Sequence, residues 1–114
     1  MYHLSSLSAG ATLRISKAKN YGNDLDEMLT LINKNTGVIW IANPNNPTGT
    51  WLKKTNLYNF LKLVPKNIIV VIDEAYFEYV ENVEYPDSSL WLNEFSNLIV
   101  TRSFSKAFGL AALR

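Results

Sequence analysis

Three stretches of the chain are apolar along their whole length: Val38 to Ala42 (VIWIA), Ile68 to Ile72 (IIVVI) and Leu98 to Thr101 (LIVT). A strand with one wet face alternates apolar and polar side chains, because successive residues point to opposite faces. Where the alternation is lost, both faces are covered, as in parallel sheets flanked by helices. Parallel neighbours cannot be joined by a tight turn; the chain must cross back over the sheet. Between the first two runs, Leu57, Phe60, Leu61 and Val64 repeat at helical spacing, and Pro65 stops the pattern. This is a βαβ unit, and it places the chain in the α/β class.

The remaining segments read less uniformly. Ala11 to Ser16 (ATLRIS) alternates apolar and polar residues and is predicted to be a strand. Asp24 precedes Leu25, Met28, Leu29 and Ile32, the spacing of one apolar helix face. Asp24 can cap that helix, and Glu27 completes a capping-box-like pattern. Gly37 closes the helical region, and Asn43 to Thr50 (NPNNPTGT) is turn chemistry throughout. Glu74 to Asn97 is irregular, with Pro86-Asp87-Ser88 and then Leu90, Trp91 and Leu92 suggesting a loop and a short helix. Ala107 to Arg114 is predicted to begin another helix.

With 114 residues the chain suffices for one domain. Its 11 Lys+Arg nearly balance 10 Asp+Glu, and Lys53-Lys54 is the densest basic pair. That balance argues against nucleic acid as a partner. No cysteine is present and His3 is the single histidine, so neither a disulfide framework nor a zinc site of thiolates or imidazoles is expected. The N-terminus lacks a basic segment followed by an apolar one. The run Ile68 to Ile72 is far too short to span a bilayer. A soluble, cytoplasmic protein without a membrane partner is expected.

In open parallel sheets, ligands bind outside the carboxyl ends of the strands. Each apolar run here is followed by a polar group: Asn43 to Gly49, then Asp73 to Tyr76 (DEAY), then Ser103 to Lys106 (SFSK), with Arg114 further on. Parallel strands would line all three groups along one rim. Hydroxyls beside a helix N-terminus suit a phosphate, and an arginine adds a bidentate clamp. A lysine can bond covalently to an aldehyde, and a carboxylate can keep a pyridine nitrogen protonated. Phosphate, aldehyde and pyridine together describe pyridoxal 5′-phosphate (PLP).

The motifs NPNNPTG, DEAYFEY and SFSKAFGLAALR resemble those of class I/II aminotransferases of PLP fold type I, and among these the histidinol-phosphate aminotransferases. The resemblance runs over the whole chain. It implies a three-layer, parallel-sheet portion of the large, PLP-binding domain, truncated at both ends, with the small domain outside residues 1–114. Lys106 resembles the lysine that carries the cofactor and shuttles the substrate proton. Asp73 resembles the carboxylate paired with the pyridine nitrogen. Tyr76 and Asn46 resemble the phenol and amide that bond the cofactor's O3′. Ser103, Ser105 and Arg114 resemble the phosphate-binding set. Pro44, Pro47 and Gly49 shape the loop that presents Asn46. The family's glycine-containing phosphate loop, its ring-stacking aromatic and its small-domain arginine are expected outside this stretch.

Competing motifs carry less. Ser103 to Lys106 also fits S-x-x-K of β-lactamases, but no SDN or KTG accompanies it. Asp73-Glu74-Ala75 resembles part of an ATPase acidic motif, yet no GxxxxGK[ST] loop exists. A Ser-His-Asp triad would have to recruit His3, which reads as a surface residue. Glu74 reads as a charged neighbour of Asp73 without a catalytic part, and Tyr79 as a packing residue.

The resemblance implies transfer of an amino group from L-histidinol phosphate to 2-oxoglutarate, in histidine biosynthesis, by a parent homodimer. A threonine-phosphate decarboxylase-like lyase shares nearly the same motifs. A non-catalytic remnant is the other alternative, and this stretch alone is expected to have little or no transaminase activity.

Overall fold

The structure is a computed structural model, and it describes residues 2–113. The three apolar runs form one parallel sheet, β1 (Val38–Ala42), β2 (Ile69–Asp73) and β3 (Leu98–Thr101), in that order. The second strand is displaced by one residue from its apolar run. Ile68 stays outside, buried, and Asp73 is the last strand residue. Helices α1 (Tyr2–Ser8) and α2 (Leu25–Thr30) precede the sheet, and α3 (Lys54–Leu63) makes the crossover from β1 to β2. Short 3₁₀ turns lie at Phe77–Tyr79, Ser88–Trp91 and Ala111–Leu113.

Register separates the two faces of the sheet. Trp40 pairs with Val71 and Ala42 with Asp73, while Val71 pairs with Ile99 and Asp73 with Thr101. Paired residues of parallel strands point to the same side. One face therefore carries Trp40, Val71, Asp73, Ile99 and Thr101. The other carries Ile39, Ile41, Val70, Ile72 and Leu98, all buried, and packs with Leu57, Phe60 and Leu61 of α3 and with Trp91. Leu25, Met28, Leu29 and Ile32 lie partly buried against the same core. Ile72 is fully buried at its centre. Replacing Ile72 with alanine should cost about 3 kcal/mol, read as a lower urea midpoint, because the cavity is walled by strands that cannot collapse into it.

Local chemistry sets the helix ends. The Asp24 carboxylate accepts from the backbone N–H groups of Asp26 and Glu27, each at 3.2 Å. Glu27 does not close the expected capping box. Its carboxylate instead accepts from the Ser16 hydroxyl and the Lys17 N–H, tying the preceding segment to α2. Phe60 supplies the carbonyl that receives the Val64 N–H, and Pro65 then prevents another turn.

Two expected elements do not form. Ala11 to Ser16 is irregular rather than a strand, with Ile15 70% exposed. Alternation alone makes no strand; a neighbour must supply hydrogen bonds, and none lies beside this segment among the described residues. Residues after Ala107 form turns and the short 3₁₀ segment rather than an α-helix. Gly109 has φ +63°, which interrupts helical backbone, and Phe108 and Leu113 are exposed with no packed face to hold a helix. Among the described residues no helix is long and apolar enough to cross a membrane.

Candidate active site

All three strands run the same way, so the segments leaving them emerge on one rim. The first begins with Asn43, a buried post. Its N–H donates to the Asp73 carbonyl at 3.0 Å, and its Oδ1 accepts from the Leu52 N–H at 2.8 Å. Its carbonyl accepts from the Tyr85 hydroxyl at 2.6 Å. Beyond it the Asn43–Pro44 and Asn46–Pro47 peptides are both cis. The loop closes through Asn45 N–H to the Thr50 carbonyl and Gly49 N–H to the Asn45 carbonyl, both 2.8 Å. Gly49 sits at φ +71°, where a side chain would be strained. The turn leaves Asn46 exposed, and its Nδ2 donates to the Tyr76 hydroxyl at 3.1 Å. Lys106 Nζ lies 5.3 Å from the centre of the same Tyr76 ring. Segments following all three strands thus meet at Tyr76.

Asp73 is half-buried at the end of β2. Its Oδ1 accepts from the Ala75 N–H at 3.0 Å and its Oδ2 from the Tyr2 hydroxyl at 2.5 Å. On the third segment, Ser103 Oγ accepts from the Ser105 N–H at 3.1 Å, which folds the serines into a tight turn. The helix N-terminus expected to follow them is absent among the described residues, so any anion there would meet hydroxyls and turn amides. Arg114 lies outside the described residues.

An ion pair between a buried carboxylate and a partly exposed guanidinium joins the roots of the second and third segments. Glu74 is 0% exposed. Its Oε2 accepts from Arg102 Nε at 3.1 Å and Nη2 at 2.9 Å, and its Oε1 from the Ser88 N–H at 3.0 Å. Arg102 Nη2 also donates to Asp87 Oδ1 at 2.6 Å, and the guanidinium lies 3.8 Å over the Phe77 ring. Burial alone would lower the Arg102 pKa, but the bonds and charges of Glu74 and Asp87 raise it. Burial works against Asp87 too, yet the donors on Ser89 and Arg102 hold its carboxyl below the usual value. The stability that Asp87 contributes is therefore present at neutral pH and lost only below the ordinary aspartate pKa of about 3.9.

Tyr85 has the opposite sign. Burial, and then the nearby charge of Glu74, push its phenol above the ordinary tyrosine value. Its contribution is complete below about pH 10 and declines as the pH rises beyond it, because the unfolded chain loses that proton first. Urea stability measured from about pH 8 to about pH 11 should fall less steeply in Tyr85→Phe than in the wild-type chain. An equal slope would show that Tyr85 stays solvated.

The sequence had placed Asn46, Asp73, Tyr76, Ser103, Ser105 and Lys106 on one rim. The structure puts Asp73 at the carboxyl end of β2 and the other five just beyond the strand ends, and brings Asn46, Tyr76 and Lys106 together. Tyr2, Asn43, Tyr85 and Arg102 escaped sequence reasoning. Arg102 had a signal, because a charge directly after an apolar strand needs a partner and Glu74 holds the matching position after β2. Tyr2 had none, being 71 residues from Asp73.

The rim of this open parallel sheet therefore presents a lysine, a phenol, an amide and a carboxylate. Residues 5–114 match the family described as aminotransferase class I and II, and the chain belongs to that family. It is 60% identical over 96 residues to histidinol-phosphate aminotransferase of Caldicellulosiruptor saccharolyticus, covering 84% of this chain and 27% of that protein. It is 51% identical over 114 residues to histidinol-phosphate aminotransferase 1 of Dechloromonas aromatica, covering 100% of this chain and 32% of that one. The crystal structure of histidinol-phosphate aminotransferase from Sinorhizobium meliloti in complex with pyridoxal-5′-phosphate superposes with a TM-score of 0.90 at 29% identity. It covers 99% of this chain and 31% of that one. The chain thus spans about a third of the length of the relatives it matches.

Proposed function

We propose that residues 1–114 are part of the large, PLP-binding domain of a histidinol-phosphate aminotransferase. The observation that carries this reading is the convergence of Asn46 and Lys106 on Tyr76, on the rim that also presents Asp73. The donor set fits the cofactor group by group. Asp73 offers a carboxylate to the ring nitrogen. Asn46 and Tyr76, already hydrogen-bonded to each other, offer an amide and a phenol to the ring oxygen. Ser103 and Ser105, with Arg114, offer hydroxyls and a guanidinium to the phosphate. Lys106 offers the amine that bonds the aldehyde carbon.

When bound, PLP supplies an electron sink for the charge left at a substrate carbon on deprotonation. The chain's own residues do the rest. Lys106, as a primary amine, would move the proton at that carbon. The Asp73 carboxylate would hold a proton on the ring nitrogen. Asn46 and Tyr76 would donate to the ring oxygen and orient the ring. For the whole protein, the amino donor is L-histidinol phosphate and the acceptor a 2-oxo acid, 2-oxoglutarate. The protein works in the cytoplasm as a homodimer. The relatives, histidinol-phosphate aminotransferases by name, support the donor, and this chain spans only about a third of their length. For the same reason the chain by itself should turn over substrate little or not at all.

The test uses the 114-residue chain. After confirming that it is folded, stoichiometric PLP is added, the mixture is reduced with borohydride, and the adduct is mapped by mass spectrometry. A label concentrated on Lys106 is expected. Label scattered over surface lysines would sink the reading.

A further inference from the structure

The proposed function leaves one hydrogen bond of Asp73 unexplained. Asp73 Oδ2 accepts from the hydroxyl of Tyr2, a residue of α1 far away in sequence. The Tyr2 ring is stacked on Trp40, with centroids 5.0 Å apart and planes 13° from parallel. Trp40 lies on β1, on the same sheet face as Asp73, and it is 40% exposed even with Tyr2 upon it. The contact is thus made on the open face of the sheet, away from the core that holds the strands together. A phenol laid there joins no part of the apolar core. What it does add is a fixed donor at one carboxylate oxygen, while the Ala75 N–H fixes the other.

We propose that Tyr2 is a positioning residue for the cofactor's ring nitrogen, acting through Asp73. The proposal rests on the reading that Asp73 faces that nitrogen. Two donors, one on each oxygen, determine the plane of the carboxylate and leave a lone pair on each oxygen for a third partner. A carboxylate held in that plane stays aimed at the ring nitrogen and at the proton it carries. Tyr2 is suited to donate under all ordinary conditions. Burial, followed by the Asp73 hydrogen bond and charge, raises its phenol above the usual tyrosine value, so it keeps its proton. The stack on Trp40 supplies the rigidity, since a phenol with a fixed ring has one remaining rotor.

Tyr2→Phe separates this role from a structural one. It keeps the ring and the stack on Trp40 and removes only the oxygen. The chain should stay folded with at most a small fall in melting temperature, while the Kd for PLP rises about tenfold as the carboxylate loses its fixed plane. The 15N resonance of ring-labelled PLP should move toward the unprotonated position. In an Asp73→Asn background, which weakens binding by itself, Tyr2→Phe should add nothing further, because its effect passes through the carboxylate. If the wild-type chain labels on Lys106 but Tyr2→Phe binds PLP as tightly and leaves the 15N signal in place, the proposal is overturned and the cofactor reading stands. An effect of Tyr2→Phe that adds fully to Asp73→Asn also overturns it. If the wild-type chain shows no preference for Lys106, the cofactor reading fails and this proposal fails with it.

Discussion

Replacing Lys106 with alanine removes the dominant reduced pyridoxal label from the chain and leaves only a background. The chain has eight lysines, so indiscriminate labelling would put one part in eight on Lys106. Selective labelling needs a site that holds the cofactor's aldehyde beside one amine. The structure supplies the elements of one, with Lys106 Nζ over the Tyr76 ring and the Asn46 amide bonded to the Tyr76 hydroxyl. Two other lysines are engaged elsewhere: Lys53 pairs with Glu84 at 2.9 Å, and Lys62 lies over the Tyr58 ring. Bond formation inside an oriented complex gains orders of magnitude over chance encounter, so total label at stoichiometric PLP should fall at least about tenfold in Lys106→Ala. Lys106→Arg keeps the charge and cannot form the bond, and it should behave like the alanine variant. Incorporation that survives either change would show that the rim does not select this lysine.

Replacing Arg102 with methionine should be the most damaging single change to the fold outside the apolar core. Glu74 is wholly buried and takes two of its three side-chain hydrogen bonds from Arg102. Without the guanidinium it is a buried charge that keeps only the Ser88 N–H. Breaking such a pair from one side costs about 3–5 kcal/mol. The Arg102 side chain is 36% exposed, so water can reach part of the gap and the lower end, about 3 kcal/mol, is expected. Urea unfolding of the chain reads this directly. The double change Glu74→Leu with Arg102→Met should recover much of the loss, because it removes both charges together. The ion pair also ties the backbone just after Asp73 to the backbone just before Ser103. Arg102→Met should therefore weaken PLP binding even at temperatures where the chain remains folded. A double variant as unstable as Arg102→Met would mean that the pair is replaceable only by itself.

Much of this architecture was legible in the order of residues, for local reasons. VIWIA, IIVVI and LIVT lack alternation, and that property belongs to each segment alone; it predicted parallel strands, which formed there to within a residue, and cover on both faces, which the described residues supply on one face only, Val38, Trp40, Ile69 and Ile99 on the other being 40–47% exposed. The helical spacing of Leu57, Phe60 and Leu61 and the cap at Asp24 are likewise short-range. Once the strands are parallel, their polar successors must share a rim, so the grouping of Asn46, Asp73, Tyr76 and Lys106 followed from pattern and topology together. Two local signals failed where tertiary support was missing. Ala11 to Ser16 alternates but has no neighbouring strand, and the segment after Ala107 has helical residues but no surface to pack on.

The contacts that fix the site's geometry came only from the fold. Tyr2 on Asp73, Tyr85 on the Asn43 carbonyl and Arg102 on Glu74 join residues 71, 42 and 28 positions apart. No periodicity encodes such a pair, because hydrogen bonds depend on where side chains end in space. The sequence by itself determined which chemical groups stand at the carboxyl edge of the sheet. The tertiary structure decided how they are held, since a tyrosine or an arginine far along the chain reads as an ordinary surface residue until the backbone brings its partner within about 3 Å.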